Sequence, residues 1–138
     1  MNRHDAREAV FTLLFETDFR ADEEKEAIFA CSTENREIEA DEYVRGTYFG
    51  VLEHLDEIDE MINRHSNGWK TNRISRVTRA ILRLSVYEML YCKAEIPENV
   101  SINEAVELCK TYDEEKARVF LNGVLNGVKN EISGSENG

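Results

Sequence analysis

The sequence predicts an all-α fold, one compact domain of six or seven helices, and three observations predict it. Apolar residues recur at three- and four-residue spacing through most of the chain, which is the helical period. The 138 residues include only seven Gly and one Pro, too few for an architecture of strands and turns. No segment alternates apolar and polar residues over the length of a strand. A chain of this size buries roughly 68–70% of the surface its unfolded form exposes, so a single core is expected. Residues 1–132 form the domain, and the SGSENG end, 133–138, reads as a disordered tail.

The first helix is expected over Arg3–Phe19, where Ala6, Ala9, Val10, Leu13 and Leu14 keep helical spacing. Arg7, Phe11 and Phe15 lie along one row of it, an exposed cation beside two rings. Such a row suits single-stranded nucleic acid through phosphate contact and base stacking; the alternative places the rings, Phe11 above all, in the core. The acidic stretch 21–39 holds a short apolar cluster, Ala27 to Ala30, and so a short helix. Asp41 reads as the N-cap of one long helix with Val44, Tyr48, Val51, Leu52, Leu55, Ile58 and Ile62 on its inner face. Ser66-Asn67-Gly68 ends it, and Trp69 anchors the connection that follows.

The segment Arg73–Lys93 is the most apolar in the chain, with apolar residues almost around the helix axis, the pattern of an enclosed helix. Its first half departs from that pattern. Arg73, Arg76, Arg79 and Arg83 share one arc, so the helix is expected to offer a basic stripe to solvent, to a partner or to the acids of the preceding block. Pro97 then forces a turn. Ser101 and Glu104 read as a capping box opening the next helix, and Asp113 as the cap of the last one, which presents Val119, Phe120, Val124, Leu125 and Val128.

Charge and composition exclude several classes. The net charge of −11 argues against nucleic acid until it is divided along the chain. Residues 21–68 hold fourteen acids against four Lys or Arg, whereas residues 69–93 hold six Lys or Arg against one acid, Glu88. A local basic surface therefore survives. No apolar run reaches membrane-spanning length and the amino end lacks a signal-peptide core, which points to the cytoplasm. Cys31, Cys92 and Cys109 are widely spaced and odd in number, and are read as small buried hydrophobes.

No catalytic constellation stands out: there is no phosphate loop, no HExxH and no nucleophile with a local base. Glu104 and Glu107 are one turn apart, but a cap and a solvent-facing charge explain them. His54 and His65 lack a second ligand at i+4, so no metal and no cofactor is expected. The residues support a helical binding protein rather than an enzyme.

Several motifs together carry a family resemblance: ILRLSVYEM at 81–89, Pro97, INEAVELCK at 102–110, FLNGVLN at 120–126 and the Arg3, Ala6, Arg7, Ala9, Val10 pattern. In this order and spacing they resemble the NusB family of bacterial transcription antitermination factors, along the whole chain. The resemblance implies two packed helical subdomains and a non-enzymatic role: binding boxA-type single-stranded RNA of nascent ribosomal RNA transcripts with NusE, a small-subunit ribosomal protein, in the complex that makes RNA polymerase resist termination. Some members form homodimers. By motif match the implied RNA-binding residues are Arg3, His4, Arg7, Phe15, Lys116, Arg118, Phe120 and Asn122, and the implied partner-binding residues are Arg76, Thr78 and Arg79. Arg7 is expected to be an exposed cation whose removal weakens RNA binding without affecting stability. The competing expectation, drawn from the net charge, is an acidic helical adaptor with little RNA affinity of its own.

Overall fold

The computed structural model describes residues 2–20, 22–35, 42–66 and 74–137. Expectations resting on Asp41, Gly68, Trp69, Lys70 and Arg73 lie outside the described residues. Seven helices follow one another: α1 (Arg3–Phe19), α2 (Lys25–Asn35), α3 (Glu42–Glu53), α4 (Leu55–Arg64), α5 (Arg76–Tyr91), α6 (Glu98–Tyr112) and α7 (Glu115–Asn137). There is no strand among the described residues. The Asn2 side chain caps α1 by accepting the Asp5 N–H at 2.8 Å, and Asp5 adds a negative charge where the helix dipole favours one.

Helix α5 is the centre of the molecule, packing against α1, α3, α4, α6 and α7. Ala80, Ile81, Leu82, Leu84, Val86 and Met89 are buried almost all round its axis, as its unbroken apolar pattern requires. Ser75 caps it, accepting the Thr78 N–H. On one side α1, α2 and α3 pack together, and on the other α6 and α7 close over α5. At Gly50, helix α3 comes so near α5 that the Tyr87 ring fills the space a side chain would need.

The structure departs from the sequence reading at several places. The single long helix is two, bent at His54, where φ −109° and ψ 22° interrupt helical geometry. Hydrogen bonds from His54 N–H to Gly50 O and from Ile58 N–H to His54 O run through the bend, and so does the apolar spacing. The capping box is not formed. Helix α6 opens one turn earlier, at Glu98 behind Pro97, which leaves Ser101 buried inside the helix and frees Glu104 for other contacts. Asp113 binds the amide of Glu114 at 2.8 Å but otherwise turns to α5.

Helix α7 runs to Asn137, into the segment expected to be disordered. Val119 is 68% exposed rather than inward. Tyr91 is also exposed, its hydroxyl donating to Glu57. Of the cysteines only Cys109 is buried; Cys31 is exposed and Cys92 half-buried. Among the described residues no helix is long and apolar enough to cross a membrane.

Candidate nucleic-acid interface

The amino end of α1 separates its three basic side chains. Arg7 faces inward, only 4% exposed, which corrects the expectation of an exposed cation on the Phe11–Phe15 row. Its Nε donates to both oxygens of Glu88, at 3.2 Å and 3.0 Å, and its Nη1 is 3.9 Å from Glu104 Oε1. Glu88 is the one acid of the apolar central helix, and taking a carboxylate out of water requires such a partner. The Tyr43 hydroxyl on α3 donates to Glu88 Oε2 at 2.7 Å. Burial, then the negative Glu88, push the Tyr43 pKa up, so the hydroxyl keeps its proton.

Arg3 and His4 stay at the surface. The Arg3 guanidinium sits 4.2 Å over the Tyr43 ring. His4 Nδ1 is 2.8 Å from Glu104 Oε2, and this hydrogen bond holds the His4 pKa above its ordinary value. Tyr43, Glu88 and Glu104 thus organise the amino end, and the sequence reading gave none of them that role. One signal pointed there: a lone acid in an otherwise apolar helix has to be paired.

Further along α1, Phe11, Thr12, Phe15, Glu16, Phe19 and Arg20 join Val77 and Tyr112 to line a groove of about 520 Å³. Phe11 is core, its ring centroid 4.8 Å from that of Tyr112. Phe15 is half-buried and presents its ring to the groove, 4.9 Å from Phe19. At the start of α7, Lys116 and Asn122 are exposed, Arg118 lies 3.5 Å from Glu115, and Phe120 packs partly against the core. Helix α6 connects the two regions: His4 and Arg7 reach its Glu104, Phe11 meets its Tyr112, and α7 packs along it.

The basic stripe of α5 does not stand free. Arg79 pairs with Asp18 of α1, and Arg83 forks onto Asp59 of α4 at 2.9 Å and 2.8 Å. Thr78 is buried and donates to Asp113 at 2.7 Å. Of Arg76, Thr78 and Arg79, only Arg76 reaches the surface, its guanidinium 4.2 Å over the Phe19 ring and 3.5 Å from Asp18. Among the described residues no three His, Cys, Asp or Glu side chains gather as metal ligands. The arrangement presents cations, an aromatic groove and amide groups, the chemistry of binding.

Known proteins share both the sequence and the fold. The family model described as the NusB family matches residues 4–130. The transcription antitermination protein NusB of Bacillus pumilus is 46% identical, over 96% of this chain and 98% of its own. That of Bacillus subtilis is 44% identical, over 98% of this chain and 100% of its own. The structure of T. maritima NusB superposes with a TM-score of 0.85 at 37% identity, covering 95% of this chain and 92% of the other. A chain from a crystal structure of antitermination factors NusB and NusE in complex with double-stranded RNA gives a TM-score of 0.80 at 32% identity, covering 93% and 97%.

Proposed function

This chain belongs to the NusB family, and we propose that it is a transcription antitermination factor that binds boxA-type single-stranded RNA of nascent ribosomal RNA transcripts together with NusE. In that complex it helps RNA polymerase resist termination, by binding and without catalysis, in the cytoplasm where transcription takes place. One observation carries the RNA reading. In an acidic molecule whose arginines are mostly paired, Arg3 at the start of α1 and Lys116 at the start of α7 have no carboxylate partner among the described residues. These unneutralised cations are available to phosphates.

His4, Arg118 and Asn122 extend that surface with hydrogen-bond donors, while Phe15 and Phe120 supply ring area for bases. Arg7 contributes from within, by holding the amino end in place. The NusE partner approaches at the mouth of the groove, where Arg76 and Phe19 reach solvent beside Val77. Binding of boxA RNA and of a scrambled RNA, measured with and without NusE, tests this reading. Preference for boxA that strengthens with NusE supports it. Equal affinity for both RNAs under all conditions overturns it, and NusE binding that persists without RNA preference favours the adaptor.

A further inference from the structure

Most arginines of the described residues end on a carboxylate: Arg7 on Glu88, Arg64 on Glu131, Arg79 on Asp18 and Arg83 on Asp59. Arg3 ends instead on the face of Tyr43, 4.2 Å from the ring centroid. The two kinds of partner differ in what they leave for a ligand. A carboxylate cancels the charge and occupies the N–H donors at the guanidinium edge. A ring face attracts the cation through its quadrupole, leaving the charge in place and the edge donors free.

The Tyr43 ring is itself held from below. Its hydroxyl donates to Glu88 Oε2, and Glu88 is fixed by the buried Arg7. A relay therefore runs from Arg7 on α1 through Glu88 on α5 and Tyr43 on α3 back to Arg3 on α1. We propose that Tyr43 is a positioning residue for RNA binding, holding the Arg3 guanidinium over its ring in the orientation that meets a phosphate. The inference rests on the RNA-binding reading above. Arg3 occupies the first turn of α1, and its long side chain has much rotamer freedom to lose on contact with a ligand. Stacking removes part of that freedom before RNA arrives, so the complex forms with a smaller entropic loss.

The test is a double-mutant cycle on boxA RNA binding in the presence of NusE, using Arg3→Ala, Tyr43→Leu, the double variant and Tyr43→Phe. The expected loss for Tyr43→Leu is roughly two- to fivefold, the size of a surface cation–π contact. Arg3→Ala makes the salt dependence shallower by about 0.7 in log–log slope, the value for one contact on a single strand. The double variant binds no more weakly than Arg3→Ala, and Tyr43→Phe, which keeps the ring face but loses its hydroxyl anchor on Glu88, binds between wild type and Tyr43→Leu.

Additive losses, or unchanged affinity in Tyr43→Leu, overturn the proposal while leaving the RNA-binding reading intact. A wild-type protein without boxA preference overturns both. Should Tyr43→Leu not fold, the wild-type protein decides by NMR: upfield ring-current shifts of the Arg3 side-chain protons, retained in the RNA complex, support the proposal. Unshifted resonances overturn it.

Discussion

Arg7 Nε lies 3.0 Å from Glu88 Oε2, although 81 residues separate the two in the chain, and both side chains are almost wholly buried. Removing the cation alone leaves a carboxylate buried between α1, α3 and α5. Arg7→Ala is therefore expected to lower stability by about 3–5 kcal/mol, the cost of breaking a buried pair from one side. Replacing both partners, as Arg7→Met with Glu88→Leu, recovers a large part of that loss because no unpaired charge remains. Urea unfolding of the three variants measures this. A loss below about 1 kcal/mol for Arg7→Ala, the range of surface pairs, contradicts the buried assignment.

Two glycines of α7 are expected to respond in opposite directions to alanine. In a helix interior, Gly→Ala ordinarily stabilises by about 0.5–1 kcal/mol. A Cβ at Gly123 meets nothing within 4 Å, so Gly123→Ala gains that amount. A Cβ at Gly127 lands 2.7 Å from His65 Nδ1. Gly127→Ala then displaces a ring whose Nε2 lies 2.8 Å from Glu131 Oε1, loosening the join of α4 to α7. Thermal denaturation of the two variants compares them, and equal gains contradict the close approach.

Glu131 accepts from Arg64 Nη2 at 2.6 Å and also meets His65, and the Arg64 hydrogen bond is the main cause that lowers its pKa from 4.5 to about 2. A carboxylate whose pKa is depressed by folding contributes stability that is present above the unfolded value and lost as pH falls through the folded one. The contribution is thus in place above pH 4.5 and disappears toward pH 2. Glu131→Gln is expected to flatten the fall of melting temperature over that window. Superimposable curves for wild type and variant contradict the assignment.

His4 titrates in the opposite sense. Its pKa is raised from 6.5 by the hydrogen bond to Glu104, so its contribution to stability is present below pH 6.5 and lost as pH rises through the folded value. RNA affinity is expected to fall over the same rise, as a cation beside Arg3 disappears. Titrating boxA binding between pH 6 and 8 shows this for wild type and not for His4→Gln. Identical profiles would place His4 away from the RNA.

Much of the fold was legible because helical periodicity reports burial. The range Arg3–Phe19 and the enclosed face of α5 follow directly from apolar spacing. The bend at His54 was not legible, because the spacing continues through it. The early start of α6 was masked by a local motif: Ser101 and Glu104 have the spacing of a capping box, and only tertiary structure shows Glu104 reaching His4 and Arg7. The site was hidden for a related reason. A row of arginines looks the same in sequence whether it meets phosphate or, like Arg79 and Arg83, meets Asp18 and Asp59 from other helices.

The central claim is that RNA binds through the cations left unpaired at the starts of α1 and α7. Its most direct test is titration of boxA RNA in the presence of NusE, at two salt concentrations, with wild type and Lys116→Ala. Lys116 is exposed and outside the core, so its removal leaves folding untouched. The variant is expected to bind more weakly, with a log–log salt slope shallower by about 0.7. Unchanged affinity and slope would contradict the account.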